Sequence, residues 1–359
     1  MRELKILEVV SGLGMGGAEK ALISRLNSRP KNIETLVLNL RPQIDSLRIP
    51  SSIDLHQCKG NFARNILFAN RTIRSFNPDI VIVRTPADVI RLAVLKTVFR
   101  LRFKLIFEAH ANFVTKKRFL GGIFRLLLIG ASSQLLGIIA VSESVKNGPL
   151  CRKSVPIQVC YLGTDIQFSR SDLKDIERPR LLFLGRMVEV KRPLWLIERI
   201  SSLKNQVALE KNCLTVVGDG PLLEDARKLV TNLGLEHYVN LVGQKSDVLP
   251  YLLEHSHLVS CSKNEGLPIT FYEAKLVGLR IISTPSGGGP EIFGEKDLVT
   301  SGFSEFEFES ALAKVLTDPV PSLIERIETS EAAAWMSAQS CEMSYYQALF
   351  AFLGHDNKR

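Results

Sequence analysis

The sequence is poor in cysteine and in aromatic residues. Its 359 residues include six cysteines, and no two of these stand at C-x-x-C or another zinc-like spacing. A zinc site or a disulfide framework is therefore not expected, and the cysteines are predicted to be buried free thiols in a reducing compartment. Aromatic residues make up 7% of the chain, and no basic stretch shows the stacking aromatics of a nucleic-acid-binding motif. We expect no nucleic acid among the partners.

Signals for export and for membrane insertion are also missing. Residues 1–10 mix charged and apolar residues in the manner of a β-strand, without the arrangement of a signal peptide. The longest apolar stretch, residues 119–141, is interrupted by Arg125, Gln134 and several glycines. It is predicted to form a helix followed by a buried strand, not a membrane span. A cytoplasmic location is the resulting expectation.

Acidic residues are scarce in the first half of the chain. Residues 1–165 contain 25 Lys and Arg against 11 Asp and Glu, a net charge of +14, whereas the remainder carries −5. A basic half of this kind can serve an anionic membrane surface, phosphate-bearing acceptors or nucleic acid, or it can be a solvated surface with no partner.

Short apolar runs alternate with helical patterns along the chain. This alternation predicts an α/β protein of two doubly wound, Rossmann-like domains with parallel sheets, and a ligand in the cleft beyond the strand ends. The predicted strands are Leu4–Val10, Thr35–Leu40, Ile80–Val83, Lys104–Phe107 and Leu136–Ala140, then Arg180–Leu184, Cys213–Val217, Val239–Val242, Leu258–Cys261 and Arg280–Ser283. A polar segment around residues 169–179 suggests a linker. The predicted domains are residues 1–168 and 169–330, with a helical stretch over 331–359 that returns to the first domain.

A glycine-rich turn follows the first predicted strand. Gly12, Gly14 and Gly17 satisfy G-x-G-x-x-G, which is the fingerprint of a dinucleotide-binding site. That fingerprint also requires an acid after the second strand, and this strand ends in Leu40-Arg41. The missing carboxylate weakens a dehydrogenase assignment. The glycines still permit close approach of an anion or a sugar hydroxyl to the helix start, unless they form a tight turn without a ligand.

The most specific motif lies around Glu265 and Glu273. Gly266 permits an unusual backbone angle after Glu265, and Pro268 suits the first helical turn, so amides near the helix start are free to face a ligand. Glu273 stands eight residues after Glu265, about two helical turns on. Two such carboxylates can accept hydrogen bonds from separate hydroxyls of one ligand, while the helix start supports a phosphate. Two surface glutamates at a helix start are the simpler alternative.

A third motif follows the first predicted strand of the second domain. It contains Gly185, Arg186 and, five residues later, Lys191. The guanidinium of Arg186 and the ammonium of Lys191 are the usual means of holding a diphosphate without a metal. In isolation, these two cations would more often be solvated surface charges.

In order and spacing, these motifs resemble the retaining glycosyltransferases of family 4, which have the GT-B fold and build bacterial surface or lipid-linked polysaccharides. The resemblance extends over nearly the whole chain, through Gly16-Gly17-Ala18-Glu19, Ala140-Val141-Ser142, Gly163-Thr164-Asp165, Gly185-Arg186, Gly218-Asp219-Gly220-Pro221, Glu265-Gly266-Leu267-Pro268 and Gly287-Gly288. Two departures are the stretch Leu135-Leu136-Gly137, which lacks a frequent acid, and Pro268, which replaces a frequent glycine.

The resemblance implies a role for each matching residue. Arg186 and Lys191 would bind the donor diphosphate, Glu273 the ribose and Glu265 the transferred sugar. The implied donor-binding residues are Gly16, Gly17, Gly185, Arg186, Lys191, Glu265, Gly266, Leu267, Pro268, Ile269 and Glu273, and the implied catalytic residues are His110, Glu265, Arg186 and Lys191. His110 would lie near the reacting sugar, whereas His255 and His257 are expected to be structural because no third metal ligand is near them.

The activity implied is that of a hexosyltransferase. It would move a sugar from a nucleotide diphosphate sugar, with a UDP-sugar favoured, to a saccharide or lipid-linked acceptor with retention of configuration. No cofactor is expected, and no metal, because the sequence has no Asp-x-Asp motif. A GT-B nucleotide-sugar epimerase and a Rossmann-type NAD(P)-dependent oxidoreductase remain as alternatives.

A basic and apolar segment in the first domain predicts peripheral contact with an anionic membrane surface. Lys116, Lys117, Arg118 and Arg125 flank apolar residues between 119 and 126 in one predicted helix. Such a helix can place apolar side chains at the headgroup boundary while its cations meet lipid phosphate. The alternative is that the apolar face packs on the sheet.

Overall fold

The computed structural model describes residues 3–12, 16–41, 48–59, 62–111, 126–148, 154–164 and 166–356. The chain forms two compact units. The first contains Met1–Gly163 together with Ala338–Arg359, and the second contains Thr164–Ser337. The second unit therefore interrupts the first in sequence, at points five to seven residues from the boundaries predicted at 168 and 330.

The first unit is built on a parallel sheet of seven strands in the order β3-β2-β1-β4-β5-β6-β7. The strands are β1 (Leu4–Val10), β2 (Ile33–Asn39), β3 (Asp54–Gln57), β4 (Ile80–Val83), β5 (Lys104–Ala109), β6 (Leu135–Ala140) and β7 (Ile157–Val159). The helices are α1 (Gly17–Ser28), α2 (Phe62–Phe76), α3 (Pro86–Val98), α4 (Glu143–Lys146) and, from the end of the chain, α11 (Ala338–Asp356), and residues 126–132 are also helical.

The central strands are buried because both faces of the sheet are covered. All four residues of β4 are buried, and five of the seven residues of β1. Fully buried strands need apolar side chains on both faces, which explains the continuous Val, Ile and Leu runs in the sequence. The edge strands β3 and β7 are short and contain no buried residue, and the sequence pattern did not predict them.

Helix α11 packs on the first unit through Tyr345, Leu349 and Phe352, which join the core around β1, β4 and β6. The ring of Phe352 packs against Gly137. A Cβ atom added to Gly137 would lie only 2.7 Å from this ring. Glycine at this position therefore admits the helix.

The second unit contains a parallel sheet of six strands in the order β10-β9-β8-β11-β12-β13. The strands are β8 (Leu181–Leu184), β9 (Leu214–Val217), β10 (Val239–Gly243), β11 (His257–Ser260), β12 (Arg280–Ser283) and β13 (Leu298–Val299). The helices are α5 (Pro193–Leu203), α6 (Leu223–Asn232), α7 (Leu249–Glu254), α8 (Ile269–Leu276), α9 (Glu305–Thr317) and α10 (Leu323–Ala332).

Each unit has a sheet of parallel strands connected by helices, which confirms the predicted fold class. In the second unit, strands β8, β9 and β11 and helices α5 and α9 enclose one apolar core. Strand β12 matches its predicted bounds, and β13, with two residues, was not predicted. A two-residue strand leaves no alternation in the sequence from which it could be identified.

The cysteines of the described residues, Cys58, Cys160, Cys213, Cys261 and Cys341, are buried free thiols, as predicted. Cys151 lies outside the described residues. His255 and His257 are buried, and burial lowers the pKa of His255 to about 4 and that of His257 to about 3. Within the described part of the chain, no helix is both long and apolar enough to cross a membrane.

Candidate functional site

The predicted donor-binding residues of the second unit lie in the segments that follow β8 and β11 and on helix α8. Gly185 comes directly after β8, and its amide donates to the Val217 carbonyl at 3.1 Å. Gly218 has a φ of +155°, and a Cβ atom there would lie 1.8 Å from the Gly185 carbonyl oxygen. Because no larger residue fits, Gly218 fixes the path of the Gly185 loop.

The segment that carries Lys191 is held by its neighbour Arg192. Arg192 adopts a left-handed conformation with φ 52°, its Nε donates to the Cys261 carbonyl at 2.5 Å, and its guanidinium stacks over Trp195 at 4.1 Å. The Cys261 thiol donates to the Lys191 carbonyl at 3.2 Å, and burial raises the pKa of this thiol to about 12, so it stays protonated. These contacts fasten the Lys191 segment to the end of β11.

Lys191 and Glu265 form an ion pair through Lys191 Nζ and Glu265 Oε1. The two side chains are mostly buried, with 21% and 14% of their surface exposed. A charge-assisted hydrogen bond between partly buried groups restricts both side chains to one geometry. The structure therefore brings together one predicted phosphate ligand and one predicted sugar ligand.

The backbone at Glu265 is shaped by the glycine loop after β12. Gly287 has a φ of +69°, and a Cβ atom there would lie 1.9 Å from the Glu265 carbonyl oxygen. The Gly288 amide donates to the Gly266 carbonyl at 2.6 Å. The loop around Glu265 and the loop around Gly287 thus contact each other through their backbones.

Helix α8 begins at Ile269, with Pro268 as its extended N-terminal cap. Pro268 was predicted within the first helical turn, and it lies one residue earlier because its ψ of 128° is not helical. Leu267 and Ile269 are buried, and so is Glu273, which is 2% exposed. The helix thus starts in a buried setting directly after Glu265, an arrangement suited to an anion or a hydroxyl at its N-terminus.

Arg186 differs from the other predicted donor ligands because it is exposed. Its carbonyl accepts from Val188 at 2.9 Å, which closes a tight turn just after Gly185. Because Arg186 is exposed, its guanidinium is accessible to a ligand that binds at this turn. The structure does not bring it into contact with the Lys191–Glu265 pair.

In the first unit, the predicted residue His110 follows β5 and its side chain is 13% exposed. Its Nε2 lies 2.7 Å from Oε1 of Glu108, the buried residue two positions earlier. The second oxygen of Glu108 is contacted by Arg25 Nη2 at 2.8 Å, Arg84 Nη2 at 3.1 Å and the hydroxyl of Tyr345 at 3.1 Å. One Glu108 oxygen therefore faces His110 and the other faces three donors.

The cluster is completed by Glu8 on β1, which accepts from Arg84 at 2.7 Å. Burial alone would raise the pKa of Glu108, but Arg25, Arg84 and His110 hold it well below its usual range. An ionised carboxylate can only accept hydrogen bonds, so the Nε2 of His110 carries the proton of this contact. Nδ1, the other ring nitrogen of His110, takes no part in this contact and is the ring atom left to meet a ligand.

The remaining predicted site residues of the first unit lie at the start of α1. Gly16 is the N-terminal cap of this helix, and Gly17 is its first residue. Gly14 lies outside the described residues, as do Lys116, Lys117, Arg118 and Arg125 of the predicted membrane segment. Like His110, the start of α1 follows a parallel strand and therefore lies at the carboxyl edge of the sheet, where doubly wound folds bind ligands.

Sequence reasoning missed Glu108 and the residues that hold it. The signal was present, because Glu8 and Glu108 each interrupt the buried apolar run of a strand. Buried acids persist only with partners, so both implied nearby cations. Arg25, Arg84 and Tyr345 come from α1, the end of β4 and α11, and no sequence spacing relates them. No group of three or more potential metal-ligating side chains is found among the described residues.

Known proteins resemble this chain in sequence and in structure. Residues 165–334 match the family model described as "Glycosyl transferases group 1". A GDP-mannose-dependent alpha-(1-6)-phosphatidylinositol monomannoside mannosyltransferase of Mycobacterium tuberculosis is 33% identical over 153 residues, which are 40% of this chain and 39% of that protein. The chain thus matches about two fifths of the length of this relative.

A second relative matches more of the chain at lower identity. It is the Campylobacter jejuni GalNAc-alpha-(1->4)-GalNAc-alpha-(1->3)-diNAcBac-PP-undecaprenol alpha-1,4-N-acetyl-D-galactosaminyltransferase, 22% identical over 328 residues, with 87% of this chain and 88% of that protein covered. Among solved structures, Anabaena Alr3699/HepE in complex with UDP-glucose superposes with a TM-score of 0.77 at 17% identity, covering 97% of this chain and all of that one.

The fold is that of the GT-B glycosyltransferases, as the sequence predicted. The second unit contains the segment that matches the group 1 glycosyltransferase model. These matches lend no support to a nucleotide-sugar epimerase or to an NAD(P)-dependent oxidoreductase.

Proposed function

We propose that this protein is a retaining glycosyltransferase of family 4, which moves a hexose from a nucleotide diphosphate sugar to a saccharide or lipid-linked acceptor. The observation that supports this most is the contact of Lys191 with Glu265, directly before the buried start of α8. A cation, a carboxylate and the amides at a helix start together suit a ligand that has both phosphate and hydroxyl groups.

The donor would be held by the second unit. Lys191 and Arg186 bind the diphosphate, Glu265 accepts hydrogen bonds from the sugar, and Glu273 accepts them from the ribose. The amides of Gly266, Leu267 and Ile269 contribute neutral donors, and Gly185 lets the backbone approach the ligand. Gly16 and Gly17 would contribute from the first unit.

In the reaction, the bond between the anomeric carbon and the diphosphate oxygen breaks, and the acceptor oxygen bonds to the same face of the sugar. Negative charge develops on the leaving diphosphate, where Arg186, Lys191 and the amides at the start of α8 stabilise it. The acceptor proton passes to a leaving phosphate oxygen. His110, held by Glu108, would contact the reacting sugar through Nδ1.

The donor nucleotide is proposed to be UDP. The complex of Anabaena Alr3699/HepE with UDP-glucose supports UDP, whereas the mycobacterial relative is named for GDP-mannose. Titrating the purified protein with UDP and with GDP tests this directly. Tighter binding of UDP is the expected result, and tighter binding of GDP would reassign the nucleotide.

Metal independence is part of the proposal, because two cations take the place of a metal at the diphosphate. Release of UDP from a UDP-sugar is expected to continue in excess EDTA. Loss of turnover on chelation, restored by manganese, would contradict this.

The acceptor is proposed to be a saccharide of cell-surface polysaccharide or glycolipid synthesis, reached from the cytoplasmic side of a membrane. The names of the two relatives, one for a phosphatidylinositol mannoside and one for an undecaprenol-linked saccharide, support a lipid-linked acceptor. Peripheral contact through residues 116–126 with an anionic membrane surface is the corresponding proposal for location.

A further inference from the structure

An apolar groove lies between helices α2 and α3 of the first unit, with a volume of about 580 Å³. Its walls include Ile66 and Ala69 of α2 and Ile90, Val94 and Val98 of α3. The three α3 residues are spaced by four, so they form one stripe along the helix. The volume is within the range of pockets that hold small ligands.

This groove exposes apolar surface to solvent. Val94 is 53% exposed and Val98 is 66% exposed. The stripe is thus unlike the face of α3 that carries Val89 and Ala93, which are buried and do not line the groove. Contiguous exposed apolar residues in a groove are typical of a binding surface for an apolar ligand.

A basic pocket of about 580 Å³ abuts the groove and shares Asn65 with it. Lys59, Arg64 and Arg71 line this pocket together with Leu67 and Phe68. Three cations around one depression suit a phosphate or a diphosphate. The groove and the basic pocket together therefore match a molecule with an apolar chain and an anionic head.

The surrounding sequence favours an anion over a neutral head. From Lys59 to Lys104 the chain has ten Lys and Arg and only two acids. One of the acids, Asp88, is buried and paired with Arg91, and the other, Asp79, accepts from the Lys5 amide. Arg84 of this segment is also neutralised, by the buried acids Glu8 and Glu108. The segment as a whole still has a net positive charge, which favours anionic ligands.

The two depressions begin at the edge of the sheet that also presents His110. Arg41, which lines the groove, follows β2, and Gln57, which lines the basic pocket, ends β3. Both are at the carboxyl ends of parallel strands, as is His110 after β5. An anionic head bound here lies at the ligand-binding edge, while a chain in the groove runs away from it along α3.

We propose that the groove and the basic pocket bind a phosphate-bearing lipid, with the hydrocarbon chain between α2 and α3 and the phosphate at Lys59, Arg64 and Arg71. This inference rests on the proposed glycosyltransferase function, for which it names the acceptor as a lipid phosphate or diphosphate and gives the site of its chain.

The test is calorimetric titration of the full chain with hexyl, octyl and decyl phosphate, each below its micelle concentration. Each methylene that enters the groove is expected to raise the affinity about fourfold. Octyl glucoside should bind more weakly than octyl phosphate, because it lacks the charge. Inorganic phosphate should not compete at equal concentration, because it lacks the chain.

Variants test the contributions of the groove and of the basic pocket separately. Changing Val94 and Val98 to Ser should lower the affinity for decyl phosphate by on the order of tenfold and flatten the chain-length series. Arg71→Gln should reduce the preference for octyl phosphate over octyl glucoside. Ile324→Ser, at a residue of α10 that is 69% exposed, and Arg102→Gln, at an exposed residue outside the pocket, are the matched controls.

Equal affinities for the three alkyl phosphates, or losses in the groove variants no larger than in Ile324→Ser, would overturn the proposal. Titration of the wild type with UDP reports the donor site separately. UDP binding without chain-length dependence rejects the lipid site alone, whereas chain-length dependence without nucleotide binding rejects the glycosyltransferase. Circular dichroism of each variant verifies folding.

Discussion

Glu108 Oε1 lies 2.7 Å from His110 Nε2, and the other oxygen of Glu108 is held by Arg25, Arg84 and Tyr345. This arrangement couples the exposed edge of His110 to a buried ionic cluster. The cluster fixes both the position and the tautomer of the imidazole, which would otherwise be free to rotate on a loop.

Changing Glu108 to Gln should therefore affect both stability and the histidine. Loss of the carboxylate leaves two buried guanidinium groups facing one remaining acid, Glu8, and should lower the free energy of unfolding by about 3–5 kcal/mol. The ¹⁵N signals of the His110 ring should show the proton fixed on Nε2 in the wild type and a mixture of tautomers in the variant. Glu143→Gln, at an exposed surface pair, is the control.

The contribution of this cluster to the stability of the fold should decrease as the pH falls. The pKa of Glu108 is well below the ordinary value of 4.5 in the folded protein, so its contribution to stability is complete above that value. The contribution is lost as the pH falls from about 4.5 towards the folded pKa. The free energies of unfolding in urea of the wild type and of Glu108→Gln should converge over this acidic range. A constant difference between them would contradict the lowered pKa of Glu108.

Changing Gly287 to Ala tests the backbone contact at the proposed donor site. A Cβ atom at this position would lie 1.9 Å from the Glu265 carbonyl oxygen, and the φ of +69° is itself unfavourable for alanine by about 1–2 kcal/mol. The Glu265 backbone must move, so UDP-sugar turnover should fall along with stability. Gly302→Ala should have little effect, because no atom lies within 4 Å of a Cβ there.

Changing Arg186 to Ala should lower the rate of transfer by on the order of 10²-fold or more, if this guanidinium stabilises the leaving diphosphate. Its exposure predicts little change in the melting temperature. Arg227→Ala, which removes another partly exposed arginine of the same unit, controls for the loss of a surface charge. An unchanged rate in folded Arg186→Ala would remove this residue from the site.

Glu265→Gln and Glu273→Gln should affect different steps, one the turnover and the other the binding of the nucleotide. Glu273, proposed to bind the ribose, should mainly set the affinity for UDP. Glu265, proposed to bind the sugar, should change turnover and sugar preference, and its loss also releases Lys191 from its ion pair. Titration with UDP and steady-state kinetics with several UDP-sugars separate the two. Equal losses of UDP affinity would refute the division of roles.

Membrane contact is tested by vesicle flotation. Binding to vesicles with anionic lipid should exceed binding to neutral vesicles and should weaken as salt is added, because the attraction is electrostatic. Changing Lys116, Lys117 and Arg118 to Ser should reduce it, whereas Lys31→Ser, at an exposed lysine elsewhere in the sequence, should not. Equal binding to both kinds of vesicle would contradict an electrostatic contact.

The sequence by itself determined the fold class and where along the chain the loops of the candidate site lie. Continuous apolar runs such as Ile80–Val83, repeated in alternation with helical patterns, are typical of a covered parallel sheet. A glycine or a proline constrains the backbone at its own position. These are local effects, and their signals are local in the sequence. The edge strands β3, β7 and β13 escaped detection because they are short and form through pairing with a neighbour.

Only the tertiary structure decided which distant side chains meet. It joined Lys191 to Glu265 across 74 positions and Tyr345 to Glu108 across 237 positions. It also placed Phe352 over Gly137 and opened the groove between α2 and α3. The physical reason is that a buried charge selects a partner by position in space, and a groove depends on the packing of two helices, so neither leaves a fixed spacing along the chain.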